Sequence, residues 1–157
     1  MKLRATRNIQ VANLYAKARV SAASVVKLIT SLDTMRAYRC PVGEISVVFV
    51  NDREIVRLHK AFMDDATVTD IITFVGEDHP GEPFAGEICV NVDQAKRAAK
   101  ERNCAWVDEM TLYVVHGWLH LAGLRDKKSN EARLMRVAEA EALAFLRKKK
   151  IKLRILK

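Results

Sequence analysis

Residues 44–50 read Glu44-Ile45-Ser46-Val47-Val48-Phe49-Val50, with Asn51-Asp52 directly behind them. The run is apolar and rich in β-branched residues, so it predicts a central strand. Asn51 and Asp52 carry the short polar side chains that accept from the first free N–H groups of a helix. Ile55, Val56, Leu58 and Phe62 then fall on one helical face. A buried strand feeding an amphipathic helix places the chain in the α/β class, and the flanking sequence extends that pattern in both directions.

Downstream, residues 71–75 (IITFV) and 87–90 (EICV) are strand-sized apolar runs, and residues 77–83, with Gly and Pro, read as a loop between them. Residues 93–102 predict a helix with Ala95, Ala98 and Ala99 inward. Asp108 is read as the cap of a helix running through Leu121, which Gly123 closes. A last helix opens at Ser129 or Asn130 and runs to about Lys149. Upstream, Pro41-Val42-Gly43 breaks the chain. Leu14, Ala18, Val25, Leu28, Ile29 and Leu32 fall near a 3.6-residue period, which predicts a helix over residues 11–35. Residues 2–9 alternate and predict an edge strand. The expectation is one α/β (α+β) domain over residues 1–157, a small mixed four-stranded sheet packed by four to five helices.

A chain of 157 residues, half of them hydrophobic, can bury a core without disulfides or a structural metal. Six glycines, three prolines and 29% charged residues exclude collagen-like, low-complexity and disordered classes. No apolar run approaches the roughly 20 residues of a membrane helix, and no signal-peptide core follows Met1. Cys40, Cys89 and Cys104 are odd in number and lack C-x-x-C spacing, which suits reduced thiols in a cytoplasmic protein.

The formal net charge of +8 is unevenly spread. Residues 147–157 (RKKKIKLRILK) hold seven cations and no acid, residues 1–20 hold five cations and no acid, and the middle is mildly acidic. A basic terminus attracts polyanions, and phosphate contacts dominate nucleic-acid affinity. The same run also reads as a solvated tail.

The residues that carry chemistry lie at 116–126: His116-Gly117-Trp118-Leu119-His120-Leu121-Ala122-Gly123-Leu124-Arg125-Asp126. Two histidines four apart share one face of a helix, which lets two imidazoles bind one divalent ion. Gly123 permits a sharp turn, after which Asp126 can fold back as a third ligand. Three protein ligands leave a coordination position open, the mark of a catalytic rather than a closed structural site. An ion so held polarises a scissile bond and lowers the pKa of water. Metalloproteases use a related spacing with a Glu after the first histidine, but Gly117 cannot move a proton.

The stretch H-G-x-L-H-L-x-G resembles the signature of the YbeY family of metal-dependent endoribonucleases. That family's motif ends in G-Y-D-H, and Asp126 stands here where the third histidine would be. Upstream, residues 62–74 (FMDDATVTDIITF) are similar to the family's Y-R-x-x-D-x-P-T-[DN]-V-L-S-F, and residues 86–90 (GEICV) to its G-[DE]-I-x-[IV] strand. The resemblance implies metal-dependent cleavage of RNA in ribosomal RNA maturation and quality control. It implies His116, His120 and Asp126 as metal and catalytic residues. The ion it implies is Zn²⁺, with harder Mn²⁺ or Mg²⁺ made more competitive by the carboxylate. The partners implied are RNA of the small ribosomal subunit, with ribosomal proteins or an assembly GTPase, and no membrane. Met63 stands where the family has an Arg facing the RNA phosphate. Arg57, His59 and Lys60 on the same helix are the groups left to substitute for it, and Lys127 and Lys128 follow Asp126 as a phosphate-attracting pair. Asp70 matches a substrate-positioning carboxylate of the family and equally suits a turn cap. Glu87 reads as a ligand-orienting or edge residue, and Trp118 as core. Two alternatives stand beside the nuclease: a non-catalytic ribosome-assembly or RNA-binding factor, and a metallopeptidase, which Gly117 opposes.

Overall fold

The structure is a computed structural model, and it describes residues 7–76 and 83–157. Its main sheet holds β1 (Ile9–Asn13), β3 (Glu44–Val50), β4 (Ile71–Val75) and β5 (Phe84–Asn91), in the order β1-β3-β5-β4. β1 and β5 both run parallel to β3, while β4 pairs antiparallel with β5 at the edge. A second, two-stranded sheet pairs β2 (Arg19–Val20) with β6 (Ile155–Leu156). Five helices occur among the described residues: α1 (Ala22–Leu32), α2 (Asp52–Met63), α3 (Val92–Arg102), α4 (Trp106–Leu121) and α5 (Ser129–Lys148). The mixed four-stranded sheet and its helices form one α/β domain, as the sequence predicts.

β3 is mostly apolar because both of its faces are covered. Ile45, Val47 and Phe49 join the large core with α1, α4 and α5, while Val48 and Val50 face the smaller cluster under α2 with Ile55, Ile72 and Cys89. Asn51 caps α2 by accepting from the Glu54 N–H at 2.9 Å, which settles its cap in favour of Asn51 over Asp52.

The helix expected over residues 11–35 is shorter than its periodicity suggested. Ile9–Asn13 is a strand hydrogen-bonded to β3, and α1 begins only after Ser21, whose side chain accepts from the Ser24 N–H at 3.2 Å. Leu14, assigned to the helical stripe, is 60% exposed. Val11 and its neighbours obtain more from the β3 ladder than from a helix start with no cap before Ser21. The edge strand expected over residues 2–9 lies mostly outside the described residues, and Ile9 is the first residue of β1. Residues 77–82 of the expected loop also lie outside them. α4 begins at Trp106, so Asp108 sits in its first turn rather than capping it, and α5 begins at Ser129.

α4 is the element that positions the site. Met110, Val114, Val115, Trp118, Leu119 and Leu121 are all buried. Gly117 brings the helix close to the sheet: a Cβ there would stand 2.5 Å from Ile88 Cγ2 and 2.9 Å from Ile71 Cδ1. The end of the chain is held as well. Leu153 is fully buried, its N–H donates to Thr111 Oγ1 at 3.2 Å, and the Arg154 N–H donates to Ser24 Oγ at 3.0 Å. Residues 151–156 are thus part of the packed domain, and only the side chains of the basic run project freely.

Candidate metal centre

His116 and His120 lie one turn apart on α4, with ring centroids 4.4 Å apart and Nε2 atoms 2.9 Å apart. After Leu121 the chain turns at Gly123, whose φ of 102° is a conformation only glycine adopts freely. The Gly123 and Leu124 N–H groups donate to the carbonyls of His120 and Leu119, both at 3.0 Å. That turn returns Asp126 to the helix. Its Oδ2 lies 3.3 Å from His116 Nε2 and 3.4 Å from His120 Nε2.

These spacings fit one small divalent ion. Zinc bonds of roughly 2.0–2.1 Å in tetrahedral geometry separate neighbouring donors by about 3.3 Å. Two of the three edges match that value, and the imidazole–imidazole edge is shorter by a fraction of an ångström. The three side chains are part-buried, with 19%, 22% and 37% exposure for His116, His120 and Asp126, so the cluster is open on one side.

The other ring nitrogens fix the orientation of both imidazoles. His116 Nδ1 lies 3.0 Å from Glu139 Oε1 on α5, and His120 Nδ1 lies 2.9 Å from the Leu124 carbonyl oxygen. Both partners are acceptors, so each Nδ1 carries the proton and each Nε2 presents its lone pair to the cluster. Burial pushes His116 toward its neutral form. The Glu139 hydrogen bond and the negative charges of Glu139, Asp126 and Asp70 outweigh it, and its pKa is raised. Protons therefore compete with an ion for His116 Nε2, and ion uptake weakens as pH falls.

Glu139 touches His116 without belonging to any local motif of the sequence. It lies on α5 among Met135, Ala138, Ala142 and Leu146, all buried. An acid set into an apolar helical stripe is the signal that would have found it, because a carboxylate there needs a partner. Glu139→Gln should leave the protein folded and lower its metal affinity about 10- to 100-fold, the usual cost of losing such a support. Isothermal titration with Zn²⁺ checks this, and an unchanged affinity would mean that Glu139 only fills space.

The remaining candidate residues do not all gather at the cluster. Asp70 acts electrostatically on His116 and Tyr113, and its carbonyl accepts from the Asn91 N–H at 2.9 Å. Lys127 and Lys128 are exposed beside Asp126, and the Lys128 N–H is held by Glu131 Oε1 at 3.1 Å. Arg57 forms an ion pair with Glu54, and Lys60 with Asp64 at 3.0 Å, so neither is joined to the cluster. His59 is engaged with the Thr67 carbonyl at 3.0 Å, and Met63 is half-exposed. Glu87 lies in a hollow of about 420 Å³ under α2 with Glu54 and Cys89. Ile88 beside it meets Gly117 of α4, so Glu87 points away from the ligand histidines. Trp118 is fully buried, and its indole N–H donates to Asp33 Oδ1 at 3.1 Å.

Comparison with known proteins places this geometry in context. Residues 7–147 match the family model of endoribonuclease YbeY. The endoribonuclease YbeY of Porphyromonas gingivalis strain ATCC 33277 is 36% identical over 109 residues, covering 69% of this chain and 71% of that one. The endoribonuclease YbeY of Bacteroides thetaiotaomicron is 32% identical over 69% of this chain and 78% of its own length. A Thermotoga maritima protein solved in solution superposes with a TM-score of 0.57 at 24% identity, covering 90% of this chain and 93% of that chain. That likeness speaks to the fold.

Proposed function

The chain belongs to the endoribonuclease YbeY family, and from that premise we propose that it hydrolyses RNA phosphodiesters at a single divalent ion held by His116, His120 and Asp126. The convergence of three ligand atoms, all within 4.8 Å of one another, carries the reading. A divalent ion bound there supplies Lewis-acid polarisation of the phosphodiester and an acidified water. The protein's part is positional. Glu139 and the Leu124 carbonyl hold the two rings so that both Nε2 atoms face the ion. Asp126 adds a negative oxygen donor, and the open side admits the substrate. Besides Glu139 and Asp126, Asp70 is the carboxylate whose charge reaches His116, and we assign it to substrate positioning. Lys127 and Lys128, exposed beside Asp126, are assigned to the phosphates that approach the mouth. The ion favoured is Zn²⁺, with Mn²⁺ and Mg²⁺ as competitors, and the substrate is ribosomal RNA of the small subunit in the cytoplasm. Contacts with ribosomal proteins or an assembly GTPase belong to the same reading. No helix among the described residues is long and apolar enough to cross a membrane.

Metal content measured together with cleavage of a ribosomal RNA fragment tests the proposal. Metal-dependent cleavage that vanishes in His116→Ala supports it, while retained cleavage in that variant would refute it. A second reading, an RNA-binding assembly factor that does not cleave, is favoured by Met63, which cannot neutralise a phosphate. Binding without turnover in the metal-loaded protein would select it. The peptidase alternative loses further ground because any side chain at position 117 runs into Ile88 and Ile71.

The aspartate also sets an expectation for metal preference. Asp126→His replaces a hard anionic donor with a neutral nitrogen, so the Zn²⁺ over Mn²⁺ selectivity should rise by at least tenfold. Competition titration measures that ratio, and an unchanged ratio would show that Asp126 does not bind the ion.

A further inference from the structure

We propose that a basic groove, formed where the end of α5 and the chain terminus close over the start of α4, is a second RNA-backbone-binding surface. It is separate from the His116–His120–Asp126 cluster and rests on the RNA-cleaving function proposed above. The groove encloses about 460 Å³. Thr111, Leu146 and Ile151 form its floor, and Arg147, Lys150 and Lys152 line its rim.

Charge is the first argument. Arg147, Lys148, Lys149, Lys150, Lys152 and Arg154 are all exposed. None of them forms an ion pair with an acid among the described residues. The cations of α2 and α3, by contrast, are largely engaged: Arg57 with Glu54, Lys60 with Asp64, Arg97 with Asp52 and Arg102 with Glu109. Asp108 is the single acid lining the groove. A concentrated, unneutralised cationic surface selects a polyanion.

Rigidity is the second argument. These cations do not sit on a loose tail. β6 pairs with β2, Leu153 is buried, and the Ser21 N–H donates to the Arg154 carbonyl at 2.8 Å. Lys150 has a φ of 58°, the left-handed position that ends a helix and that glycine ordinarily fills. The chain places a lysine there, and the Ile151 N–H returns to the Leu146 carbonyl at 2.9 Å. Cations on a fixed frame lose less entropy on binding than cations on a free arm.

Position is the third argument. Glu139, which touches His116, and Arg147 lie on the same helix, eight residues apart. At a rise of 1.5 Å per residue that is about 12 Å along α5. A single strand is more extended per phosphate than the roughly 3.4 Å of a duplex strand, so a 20-nucleotide RNA has ample length to cross that separation. A long RNA engaged at the cluster can therefore reach the groove, and a dinucleotide, whose single phosphate is held at the cluster, cannot.

Deleting the terminus would remove Leu153 and β6 from the packed domain, so charge substitution is the informative change. The test compares wild-type protein with Arg147→Glu/Lys150→Glu/Lys152→Glu, and with the same three positions changed to Gln in case reversal disturbs folding. Binding of a 20-nucleotide RNA is measured in EDTA over a salt series, and cleavage of a dinucleotide is measured with Zn²⁺. Both variants should bind the 20-mer about tenfold or more weakly. The slope of log affinity against log salt should fall by about two, since three phosphate contacts at roughly 0.7 each are lost. Dinucleotide cleavage should stay at the wild-type rate. An unchanged 20-mer affinity and slope in folded variants would overturn the proposal, as would recruitment to phosphatidylserine vesicles without RNA binding. If wild type cleaves no RNA yet the variants lose 20-mer affinity and slope, the groove stands and the nuclease reading falls. If RNA is cleaved and the variants bind as wild type does, the reverse holds.

Discussion

His120→Ala is expected to strip the protein of tightly held metal and to reduce RNA cleavage to background. Two features make the loss large. His120 Nε2 is 2.9 Å from His116 Nε2 and 3.4 Å from Asp126 Oδ2, so it forms two of the cluster's three edges. Its removal leaves two ligands from different elements, with no third donor at bonding distance among the described residues. His120 is also bonded through Nδ1 to the Leu124 carbonyl, which lies in the turn that carries Asp126 back. The substitution therefore removes a ligand and frees the loop that delivers another. Metal analysis after dialysis against a weak chelator, with cleavage assayed on the same sample, reads both effects. His120→Gln separates them, since its amide can still bond within the turn but binds metal poorly. Full metal content in His120→Ala would mean that the ion, if any, sits elsewhere. Acidification of the wild type should mimic the loss in milder form. His116 has a raised pKa, so protons compete for it from above the ordinary histidine range near 6.5 downward.

What could be seen of this centre in the sequence was the part encoded locally. The i,i+4 spacing of His116 and His120, the glycine at 123 and the carboxylate three residues later are short-range facts, and a helix converts them directly into geometry. Strand β3 was equally legible, because seven consecutive mostly apolar residues with both faces covered leave few alternatives. Glu139 was not legible, because it meets His116 across 23 residues through the packing of α5 on α4. A lone acid in an apolar stripe signals a need for a partner and does not name it. Residues 11–20 misled for a related reason. Their period suited a helix, and only the β3 ladder, 36 residues away in register, decides for a strand over residues 11–13. The terminal cations were legible as charge. Their attachment through Leu153 and Arg154 to Thr111 and Ser24 spans 42 and 130 residues, which composition does not reveal.

Trp118→Ala is expected to cost about 3–5 kcal/mol of stability, the range for deleting a large buried aromatic. A domain of this size has only about 5–15 kcal/mol in total, so the variant should unfold at a much lower denaturant midpoint. Trp118 is fully buried on α4, and its indole N–H bonds to Asp33 at the end of α1. Arg7 holds the same carboxylate, with Nε 2.7 Å from Oδ2. Alanine would leave a cavity and take one donor from that part-buried acid, whereas Trp118→Phe keeps most of the volume and loses the donor alone. The phenylalanine variant should accordingly fall between wild type and alanine. Although Trp118 lies between the two ligand histidines in sequence, it faces the core, so its effect on metal should arise only through folding. Added Zn²⁺ stabilises whatever folded protein retains the ligands, by an amount set by concentration over Kd. It should therefore raise the melting temperatures of both wild type and Trp118→Ala, and leave His120→Ala unmoved. A Trp118→Ala protein that is folded yet gains nothing from Zn²⁺ would show that the indole also sets the spacing of His116 and His120.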